Sequence, residues 1–401
     1  RYTAPMRRFL AHVAILLGFG LALASAPAQA PCRGPLGKKT EFVGLPGKPF
    51  EPIFSRDGCT VFVSLTPQGE IAVLRRKGKS FHLDRVVRPG GHPTGMVLTH
   101  DGRTLIAADG DAVDLLDAAV LQTGQGDPVR ARLGAGRLRA AIYVNVTADD
   151  HYLLVSNENG AAVTVFDLRS SALLGEVPTG VAPIALTLSP DGRWLFMTSE
   201  LAPPALHWPR ACAPQAAAGR GGAPVMPEGV VQVADMAKVI SDPTHAVVST
   251  VAAGCSPVRL ALSPDGAIAY VTARTDDRVL AFDTAKLTAN LPEPRLGSVP
   301  VGTAPVGIAV TPDGGWVIAT NSNRFAGLRG GRGGGGSDLD AIAASSFVPG
   351  SAGAAPLRQV RIPAGGFPRE LRFSPDGALL AVTNFQSNQL ELVDLARALP
   401  R

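Results

Sequence analysis

Aromatic and charged residues are scarce in this sequence. Only 5% of the 401 residues are aromatic and 18% are charged, whereas 46% are hydrophobic and the mean hydropathy is +0.17. A chain this apolar can bury a large core, which excludes disorder throughout. The 45 Gly and 34 Pro residues leave little room for long helices, and this argues against a helical bundle.

Several enzyme signatures are missing as well. The seven His residues form no pair with metal-ligand spacing, and the four Cys residues include neither C-x-x-C nor C-x-x-C-H. A G-x-S-x-G nucleophile elbow is also missing. We therefore expect no metal ion and no cofactor.

The N-terminal residues predict a secretory signal peptide. Met6-Arg7-Arg8 precedes a 15-residue apolar run, Phe9 to Leu23, which is shorter than the ~20 residues that span a bilayer. An A-x-A site ends at Ala28, so we expect residues 1–28 to be removed, with residues 1–5 upstream of the true start; an uncleaved anchor is the alternative. Removal lowers the formal charge from +5 to +2, which gives no electrostatic reason for nucleic-acid binding. The expected location is periplasmic or secreted.

One short pattern, typified by Leu188-Ser189-Pro190-Asp191-Gly192, occurs seven times. Its Asp residues are spaced 44, 48, 42, 74, 48 and 63 residues apart, and they are Asp57, Asp101, Asp149, Asp191, Asp265, Asp313 and Asp376. A Pro stands eight residues before the Asp in six copies, at Pro49, Pro93, Pro183, Pro257, Pro305 and Pro368. Another Asp follows eighteen residues later in three copies, at Asp167, Asp283 and Asp394. Three markers in one register indicate a structural repeat.

Each repeat predicts four short strands. In the third, these are Ile142–Thr147, Tyr152–Ser156, Ala162–Asp167 and Leu173–Val177. The turn between the first two strands is Asp149-Asp150 here and Asp-Gly in the other six repeats. Asp-Gly between two strands is typical of a type I′ hairpin turn. Four strands per 40–50 residues are typical of a propeller blade. We therefore predict an all-β fold, a seven-bladed β-propeller with four-stranded antiparallel blades.

The two ends of the chain predict how the ring closes. The strand-like segment Thr40–Leu45 has no three strands before it, while Arg369–Leu395 supplies three strands and then the chain ends. We expect the N-terminal strand to complete the last blade. The domain organisation is then a tail at 29–39 and a single propeller domain at 40–401.

The repeats resemble a known family. Ser-Pro-Asp-Gly followed by strands ending in Tyr270-Val271-Thr272-Ala273 or Ala381-Val382-Thr383-Asn384 is similar to the YVTN-type seven-bladed propeller repeat, in the lactonase-like and surface-layer-like superfamily. The resemblance implies the propeller fold over nearly the whole mature chain. It leaves function open, because such propellers include binding proteins, lactonase-like hydrolases and subunits of redox enzymes.

Two long spacings indicate insertions, at 201–228 and 324–337. Both fall between the second and third strands of their blades, at the end of the ring that also carries the connections between blades. We call this end the top face; the Asp-Gly turns occupy the bottom face. The second insertion is Gly-rich without the ending of a phosphate loop, so it is either a flexible segment or an arginine-bearing lid over an anionic ligand.

Polar residues cluster where chain direction places the top face and the central channel. The candidate ligand-binding residues are Asp109, Asn157, Glu158, Glu200, Arg259, Arg274, Asn321, Asn323, Glu370 and Asn384. Solvated loop residues are the plain alternative for each. As a set they predict a polar funnel on the top face.

The favoured function is a non-enzymatic, exported propeller that binds a small polar molecule, a peptide or a partner protein. A lactonase-like hydrolase is the alternative, with His92 or Glu158 as the base and Arg274 as the carbonyl stabiliser. An accessory subunit of a periplasmic redox enzyme is a third hypothesis. We expect a monomer that binds no nucleic acid and has no membrane span once the signal peptide is removed.

The four cysteines predict two disulfides. Cys212 and Cys255 fall on the top face of the fourth blade, whereas Cys59 and Cys32 fall at the bottom of neighbouring blades. A disulfide needs Cα atoms within about 7 Å. Cys32–Cys59 and Cys212–Cys255 are therefore the expected pairs, with free or metal-linked thiols as the alternative.

Overall fold

The computed structural model describes residues 32–213, 223–324, 337–347 and 357–400. The predicted signal peptide, most of the 324–337 insertion and part of the 201–228 insertion lie outside the described residues. In the described part of the chain, no helix is long and apolar enough to cross a membrane.

The predicted repeats form seven four-stranded antiparallel sheets, arranged as the blades of a seven-bladed β-propeller. Blades one to three comprise β2 (Pro49–Phe54), β3 (Thr60–Leu65), β4 (Glu70–Lys77) and β5 (Ser80–Val87); β6 (Met96–Leu98), β7 (Thr104–Asp109), β8 (Ala112–Asp117) and β9 (Val129–Leu133); and β10 (Ala141–Val146), β11 (Tyr152–Asn157), β12 (Ala162–Asp167) and β13 (Ala172–Pro178). Blades four and five comprise β14 (Val181–Leu188), β15 (Trp194–Leu201), β18 (Val230–Asp235) and β19 (Val247–Ala252); and β20 (Pro257–Leu262), β21 (Ile268–Ala273), β22 (Arg278–Asp283) and β23 (Arg295–Pro300). Blade six comprises β24 (Pro305–Val310), β25 (Trp316–Asn321), β26 (Asp338–Ala343) and β27 (Gln359–Pro363); blade seven comprises β28 (Pro368–Phe373), β29 (Leu379–Asn384), β30 (Gln389–Asp394) and β1 (Thr40–Gly44).

The ring closes as predicted. The N-terminal strand β1 pairs antiparallel with β30, from Thr40 opposite Val393 to Gly44 opposite Gln389. Blade seven therefore joins the two ends of the chain, and its outer edge is supplied from the N-terminal side.

Short helices follow the third strands of four blades, and the side chain of the last strand residue caps three of them, through Asp117, Asp235 and Asp283. The α-helices are α1 (Ala118–Thr123), α2 (Met236–Ser241), α3 (Thr284–Thr288) and α4 (Leu395–Ala398); single 3₁₀ turns cover Pro204–Leu206, Pro243–His245, Arg274–Asp276 and Ala344–Phe347. Asp283 accepts a hydrogen bond from the Lys286 N–H and so caps α3. Asp167 makes equivalent bonds to the N–H groups of Arg169 and Ser170 in a turn.

The Asp-Gly turns differ from the predicted type I′ turn. In the fourth blade Gly192 has φ 69° while Asp191 is not in the left-handed region, although a type I′ turn needs positive φ at both central residues. The observed turn has bonds from Ser189 to Arg193, more residues than a two-residue hairpin loop. The Gly192 N–H donates to the Ser189 carbonyl, and the Asp191 carboxylate accepts from the Ser189 hydroxyl and the Arg193 N–H. The prediction was wrong about the turn type because it ignored these side-chain bonds.

The turns of neighbouring blades also touch each other on the bottom face. A Cβ on Gly377 would lie 2.7 Å from Pro312, and Gly377 itself has φ +70°. Gly266 has the same relation to Pro190. Pro and Gly therefore recur together because the proline of one blade packs on the glycine of the next.

Side-chain hydroxyls on the second strands link the blades near the axis. The Thr272 hydroxyl accepts from the Arg259 N–H in its own blade and donates to the Val306 carbonyl of the next blade. Thr198, Thr320, Thr383 and Ser64 make the corresponding pairs of bonds. These bonds hold the inner strands in register around the ring.

Both predicted disulfides form. Cys32 and Cys59 have Cα atoms 4.9 Å apart on the bottom face, and Cys212 and Cys255 have Cα atoms 5.6 Å apart on the top face. Cys212 ends the strand β16 (Arg210–Cys212), which pairs with β17 (Met226–Pro227) inside the first insertion. The second bridge therefore ties this hairpin to the loop that enters blade five.

Candidate functional site

A cavity of about 310 Å³ opens in the central channel on the top face, and we call it the top-face cavity. Five consecutive blades each contribute one charged side chain to its wall, namely Glu158, Glu200, Arg274, Arg324 and Arg369, and Arg259 lines its floor. The first four come from the ends of the second strands of blades three to six. The repeat therefore brings residues distant in sequence to one opening.

Glu200 and Arg274 form an ion pair on the wall between blades four and five. An Arg274 guanidinium nitrogen lies 2.7 Å from Glu200 Oε2, and the Arg274 side chain is only 6% exposed. The backbone N–H of Arg274 donates to the Ser256 carbonyl, one residue after the Cys212–Cys255 bridge. This hydrogen bond therefore connects the backbone of Arg274, whose side chain forms the ion pair, to the loop that the Cys212–Cys255 disulfide holds.

Glu158 faces the cavity without a partner. Within the described parts of the chain its carboxylate makes no hydrogen bond or ion pair. Burial, and then the negative charge of Glu200, raise the pKa of Glu158, while Arg369, Arg274 and Arg324 oppose that rise. A partly buried carboxyl group with a raised pKa in a cavity is a candidate for proton transfer.

Arg369 is a cavity residue that the sequence analysis missed. Its guanidinium carbon lies 3.9 Å from the centroid of the Phe50 ring and 5.8 Å from that of Phe385. Its Nε is buried without a hydrogen-bond partner in the described structure. Burial lowers the pKa of Arg369, which Glu370 and Glu158 partly restore.

A departure from the repeat could have revealed Arg369. It follows the marker proline of its blade, as Phe50, Thr94, Ile184, Val258 and Val306 do in theirs. A charged side chain at a position that is otherwise apolar or a threonine indicates a specific role in that blade.

A charged plug forms the floor of the cavity. Arg259 donates to both carboxylate oxygens of Glu370, through Nε at 3.0 Å and through Nη2. Tyr143 donates its hydroxyl to Glu370 Oε1 at 2.7 Å, and the Arg259 guanidinium stacks 3.5 Å from the Tyr143 ring centroid. Burial lowers the pKa of Arg259, against the pull of Glu370.

The plug separates the top-face cavity from a second space below it. That space has about 480 Å³ and opens to the bottom face between the first strands. Tyr143 and Arg259 line both spaces. Arg372, which lines this lower space, forms an ion pair with the buried Glu51.

Three of the predicted ligand-binding residues make bonds inside their blades. Asn157 donates to the Thr164 hydroxyl at 2.7 Å, Asn384 to the Glu391 carboxylate at 2.9 Å, and Asn321 to the carboxylates of Asp338 and Asp340. Each amide ends a second strand and bonds across to the third strand. The structure places all three outside the top-face cavity.

Other predicted residues lie elsewhere on the top face. Asp109 accepts from the His92 backbone N–H and pairs with Arg132 in blade two. The exposed His92 ring lies 3.1 Å from the Pro67 carbonyl. Asn323 has φ 48°, and its N–H donates to the Thr303 carbonyl.

The predicted residues thus divide into two groups. Glu158, Glu200, Arg259 and Arg274 line the cavity, and Glu370 lies beneath it. Of the two candidate bases for a hydrolase, Glu158 lines the cavity together with Arg274, whereas His92 is not among the residues that line it. The described residues hold no cluster of three or more His, Cys, Asp or Glu side chains able to bind a metal ion.

Comparison with protein families adds to this geometry. Residues 244–398 match the family described as Lactonase, 7-bladed beta-propeller. The chain is a seven-bladed β-propeller, and this C-terminal part of it is similar to that family. The match covers the last strand of blade four and the three blades after it, so it includes the four cavity arginines but neither Glu158 nor Glu200.

Comparison with solved structures agrees with the propeller fold. A structure titled Kuenenia stuttgartiensis Hydrazine Synthase is similar with a TM-score of 0.64 and 18% identity, covering 88% of this chain and 96% of that one. A structure titled Crystal Structure of Mitotic Checkpoint Complex is similar with a TM-score of 0.64 and 15% identity, covering 92% and 98%. At such identities the likeness concerns the propeller fold alone. No curated protein matches its sequence.

Proposed function

We propose that this lactonase-like propeller binds a small polar molecule in the top-face cavity. The observation that carries the proposal is the convergence of five ionisable side chains on one cavity of about 310 Å³. That volume suits a compact ligand, at the low end for small-molecule sites. The plug below closes the channel, so a ligand enters and leaves by the top face.

The wall is suited to binding rather than to stability alone. Glu158 and Arg369 lack hydrogen-bond partners for their charged groups in the described structure, although burial disfavours both charges. Charged groups that are partly buried without hydrogen-bond partners cost stability. Their presence favours a role in contacting a ligand.

The test is ligand-dependent stabilisation of the purified chain against a set of small polyols, organic acids and amines. We expect at least one compound to raise the Tm of the wild type at millimolar concentration. Glu158→Ala should weaken that effect at least tenfold, because it removes a cavity acceptor. Glu293→Ala, an exposed glutamate outside the cavity, is the matched control. An equal loss in both variants would contradict the proposal.

A second candidate function is hydrolysis of a lactone in the same cavity. It is favoured by the family match and by the Glu158 carboxyl group, whose pKa is raised beside three arginines. Glu158 would take a proton from a water molecule while the water oxygen attacks the lactone carbonyl carbon. An arginine would stabilise the negative charge on the carbonyl oxygen; the ring C–O bond would then break, and its oxygen would take the proton back from Glu158.

This candidate predicts a defined pH dependence. Glu158 must be ionised to act as a base, so kcat/KM should fall as the pH drops through its raised pKa. Glu158→Gln should lower kcat by ~10²-fold or more and remove that limb of the profile. The measurement is turnover of a panel of sugar and acyl lactones between pH 4 and 9. If the protein binds a ligand but turns over none of these lactones, the hydrolase candidate is contradicted and only the binding function remains.

We also propose that the chain works outside the cytoplasm. Two disulfides in a chain of four cysteines suit an oxidising compartment. Non-reducing peptide mapping of the exported protein should recover the Cys32–Cys59 and Cys212–Cys255 peptides. Alkylation of all four thiols without prior reduction would contradict this location.

A further inference from the structure

We propose that the ligand of the top-face cavity carries an oxyanion, a carboxylate or a phosphate group, and that this group binds Arg369 on the blade-seven side. The inference rests on the proposed function and names the chemistry that the site selects. It concerns which end of the ligand faces which wall.

The charges of the cavity are arranged asymmetrically. Glu158 and Glu200 occupy the wall formed by blades three and four, and Arg274 neutralises Glu200. Arg324 and Arg369 come from blades six and seven. One wall therefore offers a carboxylate acceptor, and the opposite wall offers guanidinium groups.

Aromatic rings lie against the cations of the second wall. Arg369 lies over Phe50, and the guanidinium carbon of Arg324 lies 5.5 Å from the Phe367 ring centroid. Phe367 and Phe385 pack together at 5.3 Å between centroids. The Phe50 face holds the Arg369 guanidinium in place but leaves its N–H groups open to another acceptor.

Arg369 is the group that most needs such an acceptor. Desolvation and charges at a distance are the causes of its lowered pKa, with no hydrogen bond among them, and its Nε is buried without a partner in the described residues. Arg259, by contrast, is neutralised by Glu370 in the plug. A guanidinium binds carboxylate or phosphate through two parallel N–H bonds, so a ligand oxyanion satisfies Arg369 in full.

The test uses probes matched in size but not in charge. Tartrate and threitol share a four-carbon dihydroxy chain, but only tartrate carries carboxylates; inorganic phosphate tests the second kind of oxyanion. Wild-type protein with both disulfides intact is titrated with each probe by calorimetry and by thermal shift. We expect tartrate or phosphate to bind at least tenfold more tightly than threitol, and the tighter of the two identifies the oxyanion.

Two variants at position 369 and one control locate the bound group. Arg369→Met should abolish oxyanion binding, and Arg369→Lys should retain part of it because the charge remains. Without ligand, Arg369→Met should melt no lower than the wild type, since it removes an unpaired, desolvated charge. Arg103→Gln, whose parent side chain is 80% exposed, should bind as the wild type does.

The outcomes separate this inference from the proposed function. Tartrate and phosphate binding that survives in Arg369→Met, or threitol binding that equals tartrate binding, overturns the oxyanion assignment. Threitol binding that Glu158→Ala abolishes, without oxyanion binding, also overturns it but leaves the proposed function standing. Failure of every probe and every compound of the wider set contradicts both.

Discussion

At the scale of single residues, Glu391 shows how a buried carboxyl group can serve the fold at a cost. Its side chain is fully buried in blade seven, where one oxygen accepts from the Asn384 amide at 2.9 Å. The other oxygen has no partner among the described residues. Burial raises the pKa of Glu391 from 4.5 to about 7.

This carboxyl group predicts a pH-dependent stability. Because the folded-state pKa lies above the ordinary value, the folded protein holds the proton more tightly between pH 4.5 and 7. The free energy of unfolding therefore falls as the pH rises through this window, by about 3 kcal/mol from this group. Glu391→Gln, which keeps the bond to Asn384, should be more stable than the wild type at pH 8 by a similar amount and about equal at pH 4.

Urea denaturation of both proteins at several pH values checks this prediction. Other buried carboxyl groups titrate in the same window, so the quantity to compare is the difference between variant and wild type. The exposed Glu293→Gln variant is the control. A difference that does not change with pH would mean that folding leaves the pKa of Glu391 unshifted, which contradicts the prediction.

At the scale of the strand, the inter-blade hydroxyls predict a stability effect larger than their size suggests. Thr272 is fully buried and bonds both to its own blade and to the next one. Thr272→Val leaves the Arg259 N–H and the Val306 carbonyl without this partner, at a cost of about 2–3 kcal/mol. Thr272→Ser keeps the hydroxyl and should cost about 1 kcal/mol for the lost methyl group. Equal losses in the two variants, measured by chemical denaturation, would mean that the hydroxyl bonds contribute nothing.

The strands were the part of the structure that sequence could predict best. In blade three the predicted Ala162–Asp167 strand has the observed bounds. The predicted bounds of the other three strands differ from the observed ones by no more than one residue at either end. Alternating apolar residues and turn residues at fixed offsets are local signals, which explains this success. The disulfide pairs followed from topology alone.

The cavity could be predicted only in part. Glu158, Glu200 and Arg274 were found because the ends of second strands share the top face. Asn157, Asn321 and Asn384 occupy the same kind of position, but partners on the third strand take up their amides. Whether a polar side chain turns to the channel or to its own blade depends on those partners, which a single sequence does not display.

At the scale of the whole molecule, ring closure predicts that the N-terminal segment stabilises the propeller. Deleting residues 31–46 removes β1, which exposes the edge of β30, and also removes the Cys32–Cys59 bridge. We expect the Tm to fall by ~10 °C or more. The double variant Cys32→Ser/Cys59→Ser keeps β1 and should lose only the part due to the bridge. A truncated protein as stable as this double variant would contradict the role of β1.

The most direct test of the account asks whether all ligand binding passes through the top-face cavity. All four cysteines are in disulfides, so Ile142→Cys places a single reactive thiol on the cavity wall without changing a charged residue. The variant is titrated with the compounds that bind the wild type, before and after reaction with a bulky maleimide; labelled Glu293→Cys is the control. The account predicts that labelling at 142 abolishes binding and any lactone turnover, while labelling at 293 leaves both unchanged. Binding or turnover that persists in the labelled Ile142→Cys protein would contradict it.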